Sequence, residues 1–111
     1  MPLADFMRRF PAVDIPFPEA VVTTNVLRSD DGLAVFFTFH RDLNLPPHSH
    51  KGQWGIVLKG RVTLTIEGET RDCGPGESYA IPSGAIHSAR IEAGTVVLDV
   101  FEEPDRYPLK T

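Results

Sequence analysis

The chain has 111 residues, a formal net charge of −4 at pH 7 and a hydrophobic fraction of 41%, which are the size and composition of one globular domain. Because it has no surplus of basic residues to neutralise phosphates, we expect no nucleic-acid partner. We also expect no membrane partner and a cytoplasmic location, since the sequence has neither a long apolar run nor a cationic start followed by an apolar stretch.

The first twenty residues differ from the rest and are predicted to form an N-terminal arm over 1–20. Apolar side chains recur in it at helical spacing, and Pro11 would end such a helix. The apolar positions are Leu3, Phe6, Met7 and Phe10. Two interpretations stay open: a frayed terminus, or an arm that packs its apolar face on the barrel or on a second subunit.

The remaining chain is predicted to be a series of short strands, because its prolines and glycines recur at short intervals. The predicted strands are 21–28, 33–40, 43–48, 53–59, 61–67, 70–73, 78–81, 86–91 and 95–101. Parallel strands would need crossover segments of about a dozen residues, and no connection here is that long. The predicted fold class is therefore all-β and mostly antiparallel: a closed barrel or jelly roll over 21–104, followed by a C-terminal tail over 105–111.

Two of the four histidines, His48 and His50, flank a single serine. In a strand, residues two apart point to the same face about 6.6 Å apart, so both imidazoles can reach one metal ion at about 2.1 Å. The pair alone is a weak signal, since two exposed histidines beside a proline-rich turn have the same pattern.

The surroundings of this pair resemble the first motif of the cupin family, G-x5-H-x-H-x3,4-E-x6-G. His48, His50 and Gly60 occupy its histidine and closing glycine positions. The chain departs from the motif in three ways: Asp42 replaces the opening glycine, the loop after His50 is one residue short, and Gln53 stands at the glutamate position.

A second segment resembles the other cupin motif, G-x5-P-x-G-x2-H-x3-N. Gly76, Pro82, Gly84 and His87 match it at the required spacing, and Ile91 replaces its final asparagine. The resemblance implies a small single-domain cupin barrel, also described as a double-stranded β-helix or jelly roll.

The resemblance also implies a metal site. Its ligands would be His48, His50, His87 and Gln53, holding one divalent transition metal ion, which could be Zn, Ni, Fe, Mn or Cu. A glutamine can coordinate through its amide oxygen but brings no negative charge, so the ion would be a stronger Lewis acid and a better anchor for an anion. Alternatively, Gln53 is a hydrogen-bond partner of the ligands or turns to solvent.

Four further residues are predicted to line the pocket: Asp99, Phe101, Tyr79 and His40. Asp99 and Phe101 share one face of the last strand. If that face points inward, Asp99 can bind a ligand hydroxyl or act as a base, and otherwise it is a solvated edge carboxylate. Tyr79 would then have its hydroxyl near the rim, and His40 lies at a strand end, where surface positions are common.

Three functions remain open for such a site. The first is a metal-dependent enzyme, an oxidoreductase of dioxygenase type or an isomerase, that acts on a small anionic or enolic molecule. The second is a non-catalytic protein that binds or senses a sugar or carboxylate, and the third is a purely structural metal. We expect a homodimer, because small cupins are similar in this respect and because the apolar face of residues 3–10 and Trp54 fit such a contact. Trp54, Ile56 and Leu58 share the face opposite Gln53 and would form core or a dimer contact.

Overall fold

The computed structural model describes residues 2–110, so Met1 and Thr111, at the outer ends of the predicted arm and tail, lie outside the described residues. Nine strands occur in this range. They are β1 (Val22–Ser29), β2 (Gly32–Phe39), β3 (Leu43–His48), β4 (Gln53–Lys59), β5 (Val62–Ile66), β6 (Glu69–Cys73), β7 (Ser78–Ile81), β8 (His87–Ile91) and β9 (Val96–Phe101).

The strands form two facing sheets. One has the order β1-β2-β9-β4-β7 and the other β3-β8-β5-β6, and every strand pair recorded within 2–110 is antiparallel. Side chains from both sheets meet in one core, for example Val35 and Val57 from the first and Val62 and Ile91 from the second. The predicted all-β, antiparallel jelly roll is confirmed, with the two sheets kept separate rather than closed into one barrel.

Two of the motif glycines hold turns that position the site. Gly60 has a φ of 87°, and a Cβ there would lie 2.6 Å from the Thr95 Cα, so no other residue fits. Gly84 has a φ of 81°, a left-handed conformation that glycine adopts without steric cost. This turn ends three residues before His87 and fixes the start of β8.

The N-terminal arm packs on the jelly roll rather than fraying. Its short 3₁₀ helix, Asp5–Arg9, has no buried residue, which differs from the predicted one-faced helix: Leu3 is buried, whereas Phe6 is 57% exposed. Five residues make only one or two turns, too few to present a continuous apolar stripe. Beyond it, Val13 is buried and pairs with Leu109 of the tail. Among residues 2–110, no helix has the length and hydropathy needed to cross a bilayer.

Candidate metal centre

Three histidines from two β-segments meet at one end of the jelly roll. His48 ends β3 and lies directly opposite His87 at the start of β8, and His50 follows in the loop after β3. The ring centroids lie 4.2 Å apart for His48 and His87, 4.8 Å for His50 and His87, and 5.4 Å for His48 and His50. One ring nitrogen of each lies within 4.8 Å of the others.

Backbone carbonyls fix the proton on each ring. The Nδ1 atoms of His48, His50 and His87 lie 2.8, 2.6 and 2.9 Å from the carbonyl oxygens of Pro46, Lys51 and Ala85, respectively. Because a carbonyl only accepts, each Nδ1 carries the hydrogen and donates it. Each Nε2 is therefore left with a free lone pair, the arrangement that metal-ligating histidines show.

The environment favours the neutral form of His50 and His87. Burial lowers the pKa of both, and the charges of His48 and Arg106 lower it further, although the hydrogen bonds to the backbone carbonyls act in the opposite direction. Neutral imidazoles are the form that binds metal. Nitrogens that share an ion at about 2.1 Å lie about 3–4 Å apart, so small ring rotations suffice, and the three histidines fit a divalent transition metal.

Gln53 lies beside this group at the start of β4 and lines the same cavity. Its side chain lies close enough to Asp99 to lower the pKa of that carboxyl. A ligand role for Gln53 stays a prediction.

Asp99 faces inward from β9 and is only 7% exposed, so it is not a solvated edge carboxylate. The Tyr79 hydroxyl donates to its Oδ1 at 2.6 Å. Burial raises the pKa of Asp99 to about 6, although the Tyr79 hydrogen bond and the nearby Gln53 amide act in the opposite direction. The pair fits only because β4 has a glycine opposite it: a Cβ on Gly55 would lie 2.5 Å from Tyr79 Cε1 and closer still to Asp99 Oδ1.

This raised pKa predicts a stability difference between wild type and Asp99→Asn. The folded protein holds the Asp99 proton between the ordinary pKa of 3.8 and about 6, so the contribution of this group is full below that window and is lost as the pH rises through it. We expect metal-free wild type to lose about 2 kcal/mol more than Asp99→Asn between pH 4 and pH 7. Urea unfolding at both pH values measures this difference. An equal change in the free energy of unfolding for the two proteins would contradict it.

The histidines, Gln53 and Asp99 open into one cavity of about 540 Å³. Phe101 and Tyr79 also line it. So does Arg106 from the tail, which the sequence analysis missed. Its guanidinium lies 4.6 Å from the Tyr107 ring, and its buried Nε has no hydrogen-bond partner among the described residues.

His40, by contrast, is outside the cavity, so the prediction that it lines the pocket is wrong. It follows β2 at the opposite end of the sheet from the other histidines and is exposed. Its Nε2 lies 2.6 Å from the Thr23 hydroxyl. Successive side chains along extended backbone point to opposite faces, and His40 directly follows Phe39, which lines the cavity.

Comparisons with known proteins agree with this geometry. The family model described as "Cupin domain" matches residues 36–101. The structure of KdgF from Halomonas sp. is similar with 30% identity and a TM-score of 0.71, covering 84% of this chain and 87% of that one. An RmlC-like cupin from Shewanella frigidimarina has a TM-score of 0.74 and 22% identity, covering 88% and 86% of the two chains, and supports the fold alone.

A curated relative is much longer than this chain. The HTH-type transcriptional regulator NimR of Escherichia coli K12 is 33% identical over 82 residues, which is 70% of this chain. The chain spans 30% of the length of that regulator.

Proposed function

Because this chain belongs to the cupin family, we propose that it is a metal-dependent enzyme of isomerase type that acts on a small carboxylic acid bearing an enolisable carbonyl. One observation carries the metal part of the proposal. One ring nitrogen of each histidine lies within 4.8 Å of the others, while every Nδ1 is tied to a backbone carbonyl, which leaves the Nε2 lone pairs for a metal. We assign one divalent transition metal ion to His48, His50 and His87, with Gln53 as a fourth ligand or a positioning residue.

The groups around the histidines support isomerase chemistry rather than ligand binding without a reaction. An ion at this site would polarise a carbonyl or enolate oxygen. With its pKa raised to about 6, Asp99 is mostly ionised at neutral pH yet basic enough to take a proton from the carbon beside a carbonyl, which leaves the electron pair in the enolate, and to return a proton to the enolate carbon. Tyr79 holds the carboxylate in place during both transfers.

Arg106 supports an anionic substrate. A buried guanidinium nitrogen without a partner is costly, and a carboxylate is the group that pairs best with this fork of donors. Arg106 is close enough to affect the pKa of both His50 and His87. It can therefore bind the carboxylate of a molecule whose carbonyl reaches the histidines.

Proton exchange tests this function directly. We expect metal-loaded wild type to catalyse deuterium incorporation beside the carbonyl of 2-oxo acids in D₂O, followed by NMR. Since a positioned general base contributes about 10²–10⁴-fold, Asp99→Asn should lose at least about 100-fold in exchange rate at unchanged metal content. The control is Asp5→Asn, which makes the same change at an exposed residue and should keep the wild-type exchange rate. Equal rates for wild type and Asp99→Asn would contradict the proposal.

A second candidate is a binding or sensing protein that captures a small acid or sugar without chemistry. The similarity to a segment of NimR, a transcriptional regulator, favours it. Tight binding of 2-oxo acids without any deuterium exchange would decide for this candidate.

We also propose a homodimer located in the cytoplasm. Leu27, Ala34, Val100 and Trp54 lie side by side across β1, β2, β9 and β4 on the outer sheet face, where an exposed apolar row favours association. The free, buried Cys73 suits a reducing compartment. Light scattering should give twice the 12.3 kDa chain mass, and a monomer would contradict the dimer. Cell fractionation tests the location, and recovery in the membrane fraction would contradict a cytoplasmic protein.

A further inference from the structure

The cavity is polar at one end and apolar at the other. The strand registers show this order. His87 lies opposite His48, Ala89 opposite Leu45, and Ile91 opposite Leu43, so each step of two residues along β8 leads away from the histidines. Across the cavity, β9 changes in the same direction from Asp99 to Val97. All of these side chains line one continuous space.

An aromatic wall connects the two ends. The Phe101 ring lies 5.7 Å from His50 and 6.5 Å from Phe37, and Phe37 stacks on Phe39 at 5.8 Å. Tyr107 packs edge-on against Phe101 at 5.6 Å and against Phe37 at 6.3 Å. A molecule bound at the histidines therefore has aromatic side chains beside it along the length of the cavity.

The apolar end offers few partners to a hydroxyl group. Its side chains in the described range are largely hydrocarbon and come from both sheets, among them Val22, Phe39, Leu43, Val62, Ile91 and Val97. A sugar hydroxyl placed there would lose hydrogen bonds to water without full replacement, which disfavours binding. A methylene or an aromatic ring in the same place is stabilised.

From this polarity we infer that the ligand is amphipathic: a carboxylate and carbonyl head at the histidines and Arg106, with an acyl or aromatic body lying along Phe101 and Phe37 into the apolar end. The head group of this ligand follows from the proposed function, on which the inference rests. The chemical class of the ligand's body is new. A volume of about 540 Å³ is within the range of sites that enclose whole small molecules, so the head alone does not fill it.

A homologous series tests the inference. Calorimetry with the Zn²⁺-loaded protein would compare pyruvate, 2-oxobutanoate, 2-oxohexanoate and 2-oxooctanoate, with glucuronate as a hydroxylated acid. Since burying one methylene is worth about 0.8 kcal/mol, affinity should rise about fourfold for each added carbon. We expect 2-oxooctanoate to bind at least about tenfold more tightly than glucuronate.

Two substitutions of alanine by leucine show where the apolar body of the ligand lies. Ala89→Leu places a larger side chain one step below His87, so the gain in affinity with chain length should disappear. Ala80→Leu makes the same change on the exposed face of β7 and should leave the gain intact. Metal content and melting temperature of both variants confirm that they are folded.

The outcomes separate this inference from the function it rests on. Equal affinity across the series, tighter binding of glucuronate, or an unchanged gain in Ala89→Leu would overturn the amphipathic ligand while leaving the metal site and the proton exchange in place. If the metal-loaded protein bound no member of the series, both the ligand class and the proposed function would be wrong.

Discussion

Replacing His87 with alanine is expected to lower the affinity for the metal ion by more than about 100-fold. Loss of a group that merely orients a ligand typically costs about 10–100-fold in metal affinity, and His87 is a direct ligand in this account. Its ring is 4% exposed and lies between the other two histidines. Competition with a chelating dye measures the change.

The matched control is His40→Ala, because the His40 side chain is exposed and hydrogen bonds only Thr23 among the described residues. It should bind metal as the wild type does. The metal-free proteins should all remain folded, since closed structural zinc sites usually have four ligands and are rich in cysteine. Equal affinity in His87→Ala and His40→Ala would remove His87 from the site.

The second large effect is expected for Gly55→Ala. The added methyl group would overlap Tyr79 Cε1 at 2.5 Å, and Asp99 Oδ1 lies nearer still. Overpacking of this kind typically costs about 1–3 kcal/mol. Because the clash falls on the two side chains that form the proton-transfer pair, the exchange activity should be lost together with stability. Thermal unfolding and deuterium exchange of the same preparation measure both.

Gly74→Ala is the control for the glycine itself. A Cβ there would meet nothing nearer than 3.4 Å, the end of the Arg61 side chain. Its stability should stay within about 0.5 kcal/mol of wild type. If Gly55→Ala were as stable and as active as Gly74→Ala, the close packing around Asp99 would contribute to neither stability nor proton exchange.

The strands were largely predictable because turn glycines and prolines delimit them. Predicted strands 43–48, 53–59 and 78–81 have the same bounds as β3, β4 and β7. Pro46 and Pro47 do not end β3, because the register with β8 shifts between Leu45 and His48 and the ladder resumes at the histidine. A proline in an edge strand removes no ladder bond when its nitrogen faces away from the neighbour.

The direction of Asp99 could not be predicted, because both faces of β9 are largely apolar. Val96, Leu98 and Val100 alternate with Val97, Asp99 and Phe101, so alternation alone does not show which face is buried. The outcome depends on the second sheet, because Val97 and Phe101, which share the face of Asp99, pack in the core with Val62 and Ile91. Contacts between two sheets leave no pattern in the sequence of β9 itself.

Arg106 was missed for a different reason. It follows the last strand, where no periodicity constrains a side chain, and it reaches the cavity because Val13 of the arm pairs with Leu109 of the tail. The only local signal is the neighbouring Tyr107, one of two tyrosines in the chain. Contacts between the two ends of a chain leave no spacing pattern in the sequence.

Anomalous diffraction from crystals of the metal-loaded protein tests the central claim most directly. The account predicts one strong peak about 2.1 Å from the Nε2 atoms of His48, His50 and His87, with each Nδ1 still bonded to its backbone carbonyl. A peak elsewhere, or a site that binds through Nδ1 with those carbonyl bonds broken, would contradict it.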